Sequence, residues 1–284
     1  MANNIEKKSL KKIKEVEKER NLKVYKADEL LQKARFTLTI TEQRLILYTI
    51  SKIKPTDTAF TEYEFNLKDF YSVCGIKGKD SFNEIKKQCL SLKFKAWWLT
   101  VIDDKGEEWE SAVTWFNTLK TNKKSGKIRI KFHEDMMPYL LELSKQREEN
   151  GKFFTAYNFQ YVLPMKSTYS IRLYELLKSY QKNNQTWWFK LDKLKHILDC
   201  DNYTRYPDFR RRVLEPAIKE INEFTDLNVS YEIEKDGNKI DEIIFVLNEK
   251  EYLEKMKAKS LCSDELNGFN LTDKVLEELS KQNQ

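Results

Sequence analysis

Apolar positions recur along this chain in two rhythms, one helical and one strand-like, and the order of the two rhythms is repeated. After Thr41, the residues Leu45, Ile46, Tyr48, Ile50 and Ile53 fall at helical spacing, with Pro55 just beyond, which predicts an amphipathic helix. Phe65-x-Leu67-x-x-Phe70 predicts an extended entry into a short helix ending near Gly75, and Phe82, Ile85, Cys89 and Leu92 after Ser81 predict a third helix. Three strand-like runs follow at Trp97–Asp103, Trp109–Leu119 and Lys127–Phe132, parted by turns at 103–106 and 123–126. A helix from Asp135 to about Ser144 closes this unit, and the polar run Lys145–Lys152 reads as a linker.

The same order then returns. Phe154–Leu163 is strand-like, and Ser167–Tyr180 places Ile171, Tyr174 and Leu177 on one helical side. Phe189-x-Leu191-x-x-Leu194 repeats the earlier Phe-x-Leu-x-x-Phe pattern and opens a short helix over Leu191–Leu198. A long helix follows over Arg205–Phe224. Val229, Tyr231 and Ile233 then alternate towards the turn signal Asp236-Gly237, and Ile240–Leu247 returns as the second strand of a hairpin. Helix, short helix, helix and β-hairpin is the order of a winged helix. The pattern therefore predicts an α+β chain of tandem, pseudo-duplicated winged-helix domains, one over 36–147 and one over 153–248.

Composition bounds this picture. The 284 residues suffice for two cores, and 40% hydrophobic with 13% aromatic content excludes a disordered chain despite 34% charged residues. Seven Gly and five Pro argue against an all-β or loop-rich chain. Residues 1–35 carry eleven Lys/Arg against six Asp/Glu and read as a flexible basic arm, with a short strand at Val24–Lys26 and Asp28 as a helix cap. Residues 249–284, eight acidic against six basic, read as a solvated tail whose one tidy amphipathic piece is Leu271–Leu279. Four widely spaced cysteines without a CxxC pair predict free thiols in a reducing cytosol. No apolar run long enough for a signal peptide or membrane span occurs.

The net charge of +6 suits a polyanion partner without requiring one. The sharper signal is in Arg205–Phe224. On a helical wheel Phe209, Val213, Leu214, Ala217, Ile218, Ile221 and Phe224 crowd one side, with Asp208, Arg211, Arg212, Glu215, Lys219 and Asn222 opposite. Any surface helix has a charged face, but here Arg205, Asp208, Arg211 and Arg212 gather at the N-terminal end, where helix-turn-helix readers approach base edges. Arginine bridges O6 and N7 of guanine, and Asp208 can accept from the cytosine amine or simply pair with an arginine. Arg210 falls on the inward-leaning side, its stem buried and its head reaching a phosphate. Pro216 either kinks this helix or splits it.

Backbone contacts are expected from Lys219, from Lys235, Asn238 and Lys239 at the hairpin tip, and from Ser167, Thr168, Tyr169 and Arg172 at a helix start. Lys77, Lys79, Lys86 and Lys87 offer point charges in the first unit, suited to phosphate more than to base reading. Enzyme chemistry finds little footing. His133 and His196 stand apart without metal-site partners, and Gly75–Ser81 has the wrong spacing for a phosphate loop. No metal or cofactor is expected. Trp97/Trp98 and Trp187/Trp188 lie in strand-like runs and read as core.

With these residues assembled, the chain resembles the theta-type plasmid replication initiators, the family that binds repeated origin sequences called iterons. The resemblance spans about Tyr25 to Leu247 and is carried by LPMKSTYSIRLYELLKSY (163–180), FKLDKLKHIL (189–198) and YPDFRRRVLEPAIKEINEFTDLNVSYE (206–232), with TITEQRLILYTISKI (39–53) as a looser match. It implies that the second winged helix reads iterons in double-stranded DNA through Arg205, Asp208, Arg211 and Arg212. The first would contact backbone in monomers and supply much of a homodimer interface. It further implies monomers that bind and open the origin, dimers that repress the initiator's own promoter, and host initiator and helicase proteins as partners. The setting implied is the bacterial cytoplasm, without nicking or ATPase activity. A transcriptional repressor on the same fold is the alternative. A rolling-circle nickase with a tyrosine nucleophile is disfavoured because the paired histidines it would use are missing.

Overall fold

A computed structural model describes residues 2–76, 81–102, 105–181 and 185–267 of the chain. The stretch expected as a solvated basic arm is instead folded. It forms helix α1 (Ala2–Arg20), strand β1 (Lys23–Ala27) and helix α2 (Asp28–Lys33). β1 pairs antiparallel with Phe154–Asn158, so Val24 and Tyr25 lie opposite Tyr157 and Ala156. Asp28 does not cap α2 with its side chain, because its carboxylate accepts from the Thr155 hydroxyl at 2.6 Å. Net positive charge marks this segment as polar, but the buried Val24, Leu30, Leu31 and Ala34 bind it to the core.

The first unit follows. Thr39 and Glu42 form a reciprocal cap at the start of α3 (Ile40–Ile50): Thr39 Oγ1 accepts from the Glu42 N–H at 3.2 Å, and the Glu42 carboxylate accepts from the Thr39 N–H at 2.7 Å. β2 (Tyr63–Asn66) leads into α4 (Leu67–Cys74), which Asn66 caps and Gly75 ends at φ +64°. α5 (Ser81–Lys93) comes third. The run expected as one strand over Trp109–Leu119 is two. After β3 (Ala96–Ile102), the chain forms β4 (Glu108–Thr114) and β5 (Phe116–Asn122), then β6 (Lys127–Phe132). The break is at Trp115, which turns into the core against Phe36 and Trp97 and frees β3–β4 from the β2-β6-β5 sheet. The β5–β6 hairpin is the wing of this unit.

The expected closing helix over 135–144 is also interrupted. A 3-10 turn (Glu134–Met136) and α6 (Met137–Leu140) end where Glu142 takes φ +49°, and the polar run read as a linker is helix α7 (Leu143–Asn150). Polarity misleads here because α7 buries only Leu143 and otherwise faces solvent, so a polar run there is a surface helix and not a loop. β7 (Phe154–Asn158) then pairs with β1 and passes into a 3-10 turn (Phe159–Val162).

In the second unit α8 (Thr168–Tyr180), β8 (Thr186–Lys190) and α9 (Leu191–Ile197) precede a helical run over 206–224. That run is α10 (Tyr206–Phe209), a π-helical turn (Arg210–Leu214) and α11 (Glu215–Phe224). β9 (Leu227–Asp236) and β10 (Lys239–Glu249) form the wing and complete a sheet of order β8-β10-β9. Strand alternation sends one tryptophan of each pair inward: Trp97 is buried and Trp187 stacks on Tyr180 at 4.1 Å, whereas Trp98 and Trp188 are exposed. Only one of each pair is therefore core. The expected solvated tail begins with α12 (Tyr252–Asn267), whose buried Ala258, Cys262 and Leu266 pack on the rest of the chain. Leu271–Leu279 lies outside the described residues.

One continuous apolar core joins the two units. At their junction Glu175 of α8 accepts from Lys26 Nζ of β1 at 2.6 Å and from the Tyr157 hydroxyl of β7 at 2.5 Å. Arg172 donates to the Ala34 carbonyl at 2.8 Å, and its guanidinium lies 4.3 Å from the centre of the Phe36 ring. Burial pulls the Lys26 ammonium below its ordinary value against the opposing pull of Glu175, and pushes the Tyr157 hydroxyl well above its own.

Candidate nucleic-acid interface

The third helix of the second unit carries the densest set of exposed cations among the sequence-predicted residues. Phe209, Val213, Leu214, Ala217, Ile221 and Phe224 are all buried, as the wheel requires, and Ile218 is partly so. Opposite them Arg205, Arg211, Arg212 and Lys219 are exposed. Asp208 lies between two arginines, 3.2 Å from Arg211 and 3.8 Å from Arg205. Such exposed pairs contribute about 0–1 kcal/mol, so exchanging one for a phosphate or a base edge costs little. Arg212 makes no ion pair among the described residues, which leaves its five donors available.

Arg210 corrects the wheel. It is exposed, not inward-leaning, and its Nε donates to Glu215 at 2.6 Å. The cause is the π turn, in which the Glu215 N–H reaches back five residues to the Arg210 carbonyl. A wheel drawn at constant pitch cannot register that extra residue. The same turn resolves Pro216, because the helix neither stops nor splits. A regular helix would drive the Pro216 ring against the Arg212 carbonyl, and a widened turn directly before the proline relieves that conflict.

The wing is tied to this helix. Asn222 bridges to β9 by donating to the Val229 carbonyl at 2.8 Å and accepting from the Val229 N–H at 2.6 Å. Its place on the polar side of the wheel gave no hint of that role. Lys250 closes the end of the helix, donating to the Asn222 and Thr225 carbonyls at 2.5 and 2.9 Å, where unpaired carbonyls favour a cation. The hairpin tip is Gly237-Asn238, one residue later than the Asp-Gly signal implied, with Gly237 at φ +59°. Lys235, Asn238 and Lys239 are all exposed there.

The start of α8 fits a phosphate site less well than expected. Arg172 is 3% exposed and engaged at the unit junction, so it is withdrawn as a backbone contact. Ser167 accepts from the Tyr169 N–H at 3.2 Å as a helix cap. The Glu220 carboxylate of α11 takes the N–H groups of Lys166 and Ser167 at 3.0 and 3.4 Å, placing negative charge where a phosphate would sit. Tyr169 is half-buried against Tyr203, and burial pushes its hydroxyl up to about 12. Thr168 remains half-exposed.

In the first unit Lys86 and Lys87 project from α5 into solvent, while Lys77 and Lys79 lie outside the described residues. The wing of this unit adds cations that the sequence reading passed over. Lys123 and Lys124 are exposed at the tip between β5 and β6, the place that Lys235 and Lys239 hold in the second unit. Adjacent lysines in a predicted turn were the available signal. On the strands behind them Glu64 pairs with Lys127 at 2.5 Å and Arg129 at 2.6 Å, so the free charge is concentrated at the tip. Among the described residues no group of three or more His, Cys, Asp or Glu is placed to hold a metal ion. Nor is any helix among them long and apolar enough to cross a membrane.

Comparison with known proteins finds two winged-helix profiles along this chain. The family profile described as "Initiator Replication protein, WH1" matches residues 23–178, and "Initiator Rep protein, WH2" matches residues 190–247. A "Replication initiation protein" of Escherichia coli is 28% identical over 238 residues, covering 79% of this chain and 69% of that protein. The "PI protein" of Escherichia coli is 30% identical over 144 residues, 45% of this chain and 46% of its own length. Among solved structures, a Pi initiator protein in complex with iteron DNA superposes with a TM-score of 0.64 at 20% identity. The superposition covers 82% of this chain and 99% of that one, a likeness of fold.

Proposed function

Because the chain belongs to the initiator replication protein family, with both of its winged-helix units present, we propose that it initiates plasmid replication by binding iterons in double-stranded origin DNA. The observation that carries this reading is the exposed Arg205, Arg211 and Arg212, with the half-exposed Asp208 between them, at the start of a helix whose opposite face is packed into the core. That helix enters a major groove, with Arg211 and Arg212 on base edges. Lys235, Asn238 and Lys239 of the wing, with Arg210, Lys219 and the half-exposed Thr168, lie along the sugar-phosphate backbone. Lys77, Lys79, Lys86 and Lys87 of the first unit supply contacts of lower sequence discrimination, joined by Lys123 and Lys124. Binding and deforming DNA is the whole chemistry, without covalent catalysis. The active species is a monomer in equilibrium with a homodimer, working in the bacterial cytoplasm with host initiator and helicase proteins.

Mobility shift on the DNA flanking its own gene tests the reading. Tandem direct repeats beside an A·T-rich stretch should be bound, whereas binding confined to an inverted repeat over the promoter would favour a repressor. On the bound repeat, Arg211→Ala or Arg212→Ala should cost about 1–3 kcal/mol and relax base preference at one position. Unchanged specificity in the double variant would overturn the assignment of this helix.

A further inference from the structure

Helix α12 lies beyond the matched residues, yet it reaches from one DNA-facing unit to the other. Just before it, Lys250 caps the end of the helical run over 206–224. Midway, the buried Cys262 thiol donates to the Phe224 carbonyl, the last residue of that run, at 3.2 Å. The flank of α12 is held by Gln160, whose amide donates to the Lys259 carbonyl at 3.2 Å and to the Ser263 hydroxyl at 2.8 Å, and by a 3.0 Å pair between Lys166 and Glu265. At its far end Leu266, 7% exposed, closes over Gly75 of the first unit. A Cβ at Gly75 would stand 2.8 Å from Leu266 Cδ2 and 3.1 Å from its carbonyl oxygen, so glycine is required there by contact as well as by its φ of +64°.

Gly75 ends α4, and α5, the third helix of the first unit, begins at Ser81. The other side of this end is closed by α1. Arg20, buried against α4, donates to the Val73 and Ser72 carbonyls, each at 2.9 Å. The end of α4 is thus held by Arg20 and Leu266, while Cys262, one turn before Leu266, holds the end of the recognition helix of the second unit. The two grips, Cys262 and Leu266, are about 6 Å apart on the same helix, a short rigid link between the two.

We infer that α12 is a positioning strap, with Leu266 on Gly75 as its contact, that sets where α5 stands relative to the helical run over 206–224. It therefore sets how well the first unit engages DNA already held by the second. This rests on the proposed DNA reading and adds to it a residue pair that touches no DNA. The energetic basis is tethering. A second module held in the correct place binds at high effective concentration, and one that wanders loses that advantage without losing any of its own contacts.

The test uses the full-length chain and a duplex selected by it from a random-sequence pool. Hydroxyl-radical footprints define the protected halves, assigned by which half is lost in Lys86→Ala/Lys87→Ala and which in Arg211→Ala/Arg212→Ala. Leu266→Ala, studied well below its unfolding temperature, should weaken protection of the first-unit half about tenfold and leave the second-unit half within about twofold. Gly75→Ala, which pushes on the same contact from the opposite side, should reproduce that selective loss if Leu266→Ala fails to fold. Equal weakening of both halves, or no weakening, would overturn the strap. Failure of the unaltered chain to select any duplex would instead overturn the DNA reading itself, and that result precedes any variant.

Discussion

Single residues divide into those whose role follows from type and position and those whose role depends on what lies above them. Arg172 and Arg212 are both arginines near helix starts, yet one is engaged with a backbone carbonyl beside an aromatic ring and the other is in solvent. Sequence supplies the charge, and burial decides its use. The cysteines show the same dependence. Cys74, Cys89 and Cys200 are all buried, and burial pushes each thiol from an ordinary value of 9.0 up to about 12; Cys262 is raised as well. A raised folded value means that the unfolded chain releases these protons first. Their contribution to stability is complete below pH 9 and falls as pH rises towards 12, at up to about 1.4 kcal/mol per thiol per pH unit. Urea unfolding at pH 8 and pH 10 should show lower stability at the higher pH, with a flatter dependence in Cys89→Ala. Native protein at pH 8 should resist a thiol reagent that labels all four cysteines in urea; prompt native labelling would contradict this burial.

Elements were most legible where periodicity and punctuation agreed. The first three helices of each unit and the second wing follow directly from apolar spacing, caps and an Asp-Gly-Asn turn. Two features defeated that reading for local reasons. The π turn before Pro216 adds a residue that constant pitch omits, and Trp115 folds a long β run into two strands by entering the core. The wing and the recognition helix should differ in kind when tested on DNA. Lys239→Ala at the exposed tip should weaken binding to every duplex alike and lower the slope of log affinity against log salt by about one. Arg211→Ala should also change which sequence is preferred. Measuring both variants on matched and mismatched duplexes across a salt series separates the two roles, and a base-selective effect of Lys239→Ala would place the wing on base edges.

At the scale of the molecule, the junction between the units is where burial is most demanding. Lys26, Glu175 and Arg172 are buried together: Lys26 donates to Glu175, and Arg172 donates to the Ala34 carbonyl while its Nη1 lies 3.9 Å from Glu175. Removing one partner strands the rest, so Glu175→Ala should cost about 3–5 kcal/mol in urea unfolding, with Glu175→Gln intermediate because an amide oxygen can still accept from Tyr157. A loss below about 1 kcal/mol would show that water enters this site. The sequence by itself determined the α+β class, the duplicated order of elements, the buried stripe of the third helix and the cations opposite it. These are local properties, written in spacing and residue type. Only the tertiary structure decided that the charged stretches over 20–34 and 258–266 pack on the core, that Arg172 is a junction residue, that Arg210 faces outward, and that Leu266 meets Gly75. Each depends on contact between segments far apart in the chain, and such contact leaves no periodicity in either segment.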